Sequence, residues 1–231
     1  MTKYLVKNKE ELQEIIKTNS KPLNSLDVSN ITDMSFLFFN ISNISNVTYF
    51  DIDSWDTSNV TNMSGMFEGC SSLTTIHLLD TSNVTNMDSM FCDCNSLTSI
   101  PLLNTSNVTD MYCMFEDCSS LTTIPLLNTS NVTNMNSMFY NCNSLTNIPL
   151  LDTSNVTSMF SMFYNCSSLT TISLLDTSNV TDMYCMFEDC TSLHLVDKVL
   201  FLDQSNNDFK RQIYLQMSKE QLQQTYDNLC V

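Results

Sequence analysis

Apolar side chains return along this chain at a fixed step. The Met66-Phe67 pair recurs at Met90-Phe91, Met114-Phe115, Met138-Phe139, Met162-Phe163 and Met186-Phe187, a period of 24 residues. Cys70, Cys94, Cys118, Cys142, Cys166 and Cys190 keep the same step, as do Leu73, Leu97, Leu121, Leu145, Leu169 and Leu193. Self-similarity at this period marks a solenoid, in which each unit buries its apolar side only by stacking on its neighbours.

Within one unit, Asp80 to Leu103, the inward candidates are Val84, Met87, Met90, Phe91, Cys94, Leu97, Ile100 and Leu102. Leu97-x-x-Ile100-x-Leu102 has the spacing of a leucine-rich-repeat strand, and Phe91-x-x-Cys94-x-x-Leu97 extends it backwards. The expected coil therefore has a short strand at Ser99 to Leu103, an extended stretch at Asn83 to Met87 and one helical turn around Ser89 to Cys92. The chain holds only two glycines, Gly65 and Gly69, although every coil must turn. The Gly69 column continues as Asp93, Asp117, Asn141, Asn165 and Asp189, residue types that tolerate a left-handed backbone, so φ > 0 is expected there.

The ends differ from the array. Residues 1–26 form the expected N-terminal capping helix: Asn8 and Glu11 resemble a capping box, Leu12, Ile15 and Ile16 share a face, and Pro22 stops continuation. The solenoid spans residues 27–196, with an irregular first coil carrying Leu37-Phe38 at the Met-Phe position, then six regular repeats from Asp56. Residues 197–231 form the expected C-terminal helical cap, with apolar positions Phe209, Ile213 and Met217 and then Leu222, Tyr226 and Leu229. The fold class is thus a right-handed repeat solenoid, leucine-rich-repeat-like: a parallel β stack with short helical turns and helical caps at both ends.

Composition narrows the function. A formal charge of −16 with 9 Lys and Arg argues against nucleic acid and against anionic membrane surfaces. No apolar run reaches the ~20 residues of a membrane-spanning helix. The start lacks a signal-peptide pattern, so the chain is expected in the cytoplasm if complete, and at the cell surface or secreted if a leader was removed. Six of the ten cysteines share one repeat position, the pattern of a buried column rather than a disulfide framework. Cys92, Cys113 and Cys185 lie outside that column and are the better candidates for oxidation.

The motif Asp-Thr-Ser-Asn-Val-Thr-x-Met-x-x-Met-Phe-x-x-Cys-x-Ser-Leu-Thr-x-Ile resembles the BspA-like leucine-rich-repeat families, particularly the mycoplasma-lipoprotein and Listeria-type surface-protein repeats. The stretches Leu26 to Met34 and Ser54 to Val60 resemble that family's first units, and the similarity covers roughly residues 26 to 196. The resemblance implies a bacterial or protist-type solenoid used in surface display, adhesion and protein interaction, and no catalytic residues.

The residues themselves point the same way. No Ser/His/Asp or Cys/His set, phosphate-cradling loop or paired-carboxylate cleft is legible, so no enzyme, metal or cofactor is expected. The Asp/Asn column at Asp56, Asp80, Asn104, Asn128, Asp152 and Asp176 reads as turn-forming, and the Asn of each Asn-x-Thr triplet as a bridge between coils. The expected function is a non-enzymatic protein-interaction or adhesion module, with a basic or other protein partner, or a second copy of itself. Its candidate surface is an outward stripe of Leu79, Leu103, Leu127, Leu151 and Leu175, beside His77, Pro101, Pro125, Pro149 and Ser173. The alternative is ice or another regular surface, bound through exposed rows of Thr81, Asn83, Thr85, Thr105, Asn107 and Thr109.

Overall fold

The structure, a computed structural model, describes residues 3–41, 52–76, 79–173 and 175–193. The expected C-terminal cap and its helices, together with His77, Leu78 and Leu174, lie outside the described residues.

The chain opens with strand β1 (Tyr4–Leu5), helix α1 (Lys9–Thr18), a 3-10 turn (Leu23–Ser25) and strand β2 (Leu26–Asp27). β1 and β2 pair in parallel, Tyr4 opposite Leu26 and Leu5 opposite Asp27. Helix α1 begins where the Asn8 side chain accepts the Glu11 amide, and ends at Asn19 with φ 48°. The return limb of the cap differs from a standard box, since the Glu11 carboxylate accepts the Lys7 amide at 2.7 Å. Leu12 and Ile15 turn into the core of the first coil. Lys9 reaches Asp33 at 3.2 Å and Ser35 at 2.6 Å, tying the helix to that coil. Trp55 closes the irregular unit by stacking on Phe38 at 6.1 Å and donating from its indole to the Leu23 carbonyl at 2.8 Å.

From there the coils repeat. Val60, Met63, Met66, Phe67 and Cys70 are fully buried, and Leu73 and Ile76 nearly so. The phenyl rings from Phe38 through Phe187 form a continuous stack at 5.4–5.6 Å steps, with planes within 9° of parallel. Each column cysteine donates its S–H to a Phe carbonyl one coil back, as Cys94 does to Phe67 at 3.1 Å. A small apolar side chain with one weak donor fits this place, because the neighbouring backbone offers an acceptor and no water.

The secondary structure differs from expectation. No strand forms at Ser99 to Leu103, and Ser89 to Cys92 is not helical. Coils are joined instead through the segment that follows the Asn-Val-Thr triplet. Met87, Ser89, Phe91 and Asp93 donate to Asp110, Tyr112, Met114 and Glu116 of the next coil, at 3.2, 2.8, 3.0 and 2.9 Å. Between them, Met90, Cys92 and Cys94 donate to carbonyls three residues back. A helix cannot accommodate that alternation, because every second amide points along the solenoid axis. The alternation requires positive φ every fourth residue, at Ser89 (54°) and Asp93 (60°). Asp93 belongs to the expected column. The Ser89 column, with Gly65, Cys113, Ser137, Ser161 and Cys185, is a second one. Glycine occupies both columns only in the first regular coil, where an added Cβ at Gly65 would meet the Phe36 ring and one at Gly69 the Asn40 side chain.

The inward positions explain the missing strand. Phe91, Cys94, Leu97, Ile100 and Leu103 are all buried, a step of three residues rather than the alternation of a strand. Pro101 also lacks the amide that a ladder would need.

Candidate functional site

The three-residue step decides which leucine faces solvent. Because Ile100 and Leu103 both point inward, Leu102 between them points out. It is 63% exposed, and its equivalents Leu126 and Leu150 are 63% and 62% exposed. These side chains line one wall of an open groove of 1330 Å³ that crosses consecutive coils, from Trp55 and Leu79 to Leu175 and Asp176. Scattered exposed leucines are ordinary, whereas these three stand in register along one groove.

The groove is also lined by a polar column held in hydrogen-bonded turns. Asp80, Asn104, Asn128, Asp152 and Asp176 each accept the amide of the serine two residues on, at 2.9–3.1 Å. These are the turns expected of this column. The serine hydroxyls of Ser106, Ser130 and Ser154 add a second bond at 2.7–2.8 Å. Hydrogen bonds from Ser82, Ser154 and Ser178 hold the Asp80, Asp152 and Asp176 carboxyls below their ordinary value. These three carboxylates therefore stay ionised throughout the neutral range, while Asn104 and Asn128 between them are neutral. Just behind this column, Thr81, Thr105, Thr129 and Thr153 donate to the carbonyl of the Asp/Asn position one coil on, at 2.8–2.9 Å. The threonines thereby fix the coil-to-coil spacing of the groove.

Several expected positions are corrected. Leu79, Leu103, Leu127, Leu151 and Leu175 do not form an outward stripe: all are 2–3% exposed and belong to the core, while the column one residue earlier, placed inward from the sequence, is the exposed one. Pro101, Pro125, Pro149 and Ser173 are half-buried beside the groove. The Thr81 and Thr105 row is also not a surface, since both are 1% exposed with their hydroxyls donated to backbone. Asn83, Asn107, Thr85 and Thr109 are exposed. Their polar groups bridge coils, as in the bonds from Asn107 to the Ser82 carbonyl at 2.7 Å and from Thr109 to the Thr85 carbonyl at 3.3 Å.

Among the described residues, the cysteines outside the column are not activated. Cys113 is buried, and Cys92 and Cys185 are half-buried. Burial, followed by the negative charge of Glu116, Asp93 and Glu68, pushes the Cys92 thiol up. Burial and a hydrogen bond to Glu116 do the same at Cys113. Burial and a hydrogen bond to Glu188 raise Cys185 to about 11. A thiol is nucleophilic as its thiolate, so these surroundings oppose the expected susceptibility to oxidation. Among the described residues no cluster of three or more His, Cys, Asp or Glu side chains could hold a metal ion, and no helix is long and apolar enough to cross a membrane.

Three overlapping segments, residues 6–123, 42–146 and 119–211, match the family model described as Mycoplasma protein of unknown function, DUF285. The chain belongs to this family. No curated protein matches the DUF285 chain. Among solved structures it is similar to a leucine-rich repeat protein of T. pallidum, TpLRR, with a TM-score of 0.54 and 18% identity over 77% of this chain and 78% of that one. At that identity the likeness concerns the fold, and it identifies the DUF285 array as a leucine-rich-repeat-like solenoid. The family match and this likeness are consistent with the BspA-like resemblance.

Proposed function

We propose that this chain is a non-enzymatic protein-interaction module that binds its partner in the groove lined by Leu102, Leu126 and Leu150. The observation that carries the reading is the line of three leucines, each more than 60% exposed, at one position of successive coils within a solenoid whose other aliphatic columns are buried. Holding these side chains on a scaffold fixed by inter-coil hydrogen bonds costs little ordering entropy on binding, which favours affinity from a modest apolar contact. The carboxylates of the groove contribute orientation and rate of association more than affinity. An adhesive role is the same chemistry directed at a partner on another surface.

The test is peptide selection on the wild-type chain against a Leu102→Lys, Leu126→Lys, Leu150→Lys triple variant. Because all three side chains are exposed, the variant is expected to keep its circular dichroism spectrum and melting temperature. Selected peptides should bind the wild type and not the variant. Peptides that bind both equally would refute the groove as the interaction surface.

A further inference from the structure

The distribution of charge and the step of the groove together restrict what can occupy it. Residues 27–197 contain 18 Asp and Glu and no Lys or Arg; all nine basic residues lie before or after that stretch. A partner crossing these coils meets carboxylates and no competing cation from the array itself. Along the groove, Asp80, Asp152 and Asp176 stand one position beyond the buried leucines and Asn104 and Asn128 hold that position in the two coils between, so the carboxylates flank the row of exposed leucines at its two ends.

The spacing selects a conformation. The exposed leucines recur once per coil, and successive coils stand 5.4–5.6 Å apart at the phenyl stack. An α-helix lying along the groove repeats an apolar side chain about every 5.4 Å, at positions i, i+3 or i+4, and i+7. An extended strand repeats one face about every 6.6–6.8 Å, and so falls more than ~2 Å out of register between Leu102 and Leu150.

We infer that the groove takes a cationic amphipathic helix, its apolar stripe on Leu102, Leu126 and Leu150 and its Lys or Arg residues over Asp80, Asp152 and Asp176. This rests on the groove being an interaction surface. It goes further in assigning both the helical form and the positive charge of the occupant.

Three synthetic peptides of equal length test it against the full chain by fluorescence anisotropy. One places Leu and Lys at helical spacing, the second alternates them at strand spacing, and the third keeps helical spacing with Glu in place of Lys. The first is expected to bind, with affinity falling as salt rises. The other two should bind at least about tenfold more weakly. Leu126→Ser and Asp152→Asn should each weaken the first peptide, the leucine change by about tenfold or more, as expected for a central apolar anchor. Equal or tighter binding of the alternating peptide, still lost in Leu126→Ser, would overturn the helical assignment and leave the groove standing. Equal binding of the Glu peptide would overturn the charge assignment. Binding of the first peptide that neither substitution weakens would overturn both the inference and the groove reading, as would no binding by any of the three.

Discussion

Two adjacent leucines should behave as opposites. Leu126 is 63% exposed and Leu127 is 2% exposed, although nothing in the dipeptide itself distinguishes them. Truncating Leu127 to Ala removes a side chain packed in the column between Leu103 and Leu151. The cavity cannot readily collapse, because Thr105 and Thr129 hold the flanking coils through hydrogen bonds to the Asn128 and Asp152 carbonyls at 2.9 and 2.8 Å. The cost should therefore lie in the usual range for a buried leucine, ~2–5 kcal/mol. A central value of about 3 kcal/mol lowers the melting temperature of a domain of this size by about 6–12 °C. Leu126→Ala removes no buried contact and should change stability by less than about 0.5 kcal/mol. Thermal and urea melts followed by circular dichroism read both. Equal destabilisation by the two substitutions, or a larger loss at Leu126, would refute the three-residue inward step on which the groove depends.

Other consequences follow from the coil. Asn141 has φ 58° and its side chain bridges Asp117 and Asn165, so Asn141→Val and Asn141→Gly both lose those bonds, but Val should cost ~1–2 kcal/mol more than Gly; equal effects in urea melts would contradict the left-handed column. Burial, reinforced by the negative charge of Asp117 and Asp93, raises the Glu116 carboxyl above its ordinary value. Its folded form thus binds a proton more readily than its unfolded form, and its ionisation destabilises the fold at neutral pH. Glu116→Gln should raise the melting temperature at pH 7, and the advantage should shrink as pH falls toward the ordinary carboxyl range; an advantage that grows on acidification would contradict this sign. The buried cysteine column should react slowly with a thiol reagent in the native protein and fully after denaturation without reductant, whereas a disulfide between two column members, seen by mass spectrometry, would contradict their bonds to the Phe carbonyls.

Much of this architecture was legible in the residues. The Met-Phe, Cys and Leu columns announce the stack, and the replacement of Gly69 by Asp or Asn in later coils announces a left-handed position. Gly65 carried the same signal, but its column continues as Ser and Cys, which do not advertise positive φ. That conformation is imposed by alternating amide directions between coils, a tertiary effect. The exposed leucine is hidden in the sequence because a strand at Ser99 to Leu103 makes Leu102 follow Ile100 inward. The step already visible from Phe91 through Cys94 and Leu97 to Ile100, continued by three, reaches Leu103. Local resemblance to a leucine-rich-repeat strand outweighed the periodicity of the chain itself, and Pro101 was the residue that argued against it. Thr81 reads as a surface threonine for a similar reason. Its burial depends on a carbonyl 23 residues away, at Asn104.

The most direct test of the groove as the binding surface is methyl NMR of the leucine- and threonine-labelled chain, titrated with a peptide selected on the wild type. The largest shifts should fall on the Leu102, Leu126 and Leu150 methyls, with the buried Leu97, Leu121 and Leu145 column little changed. Shifts concentrated instead on the exposed Thr85, Thr109 and Thr133 methyls, with the three groove leucines unmoved, would place binding on the other exposed row and contradict the account.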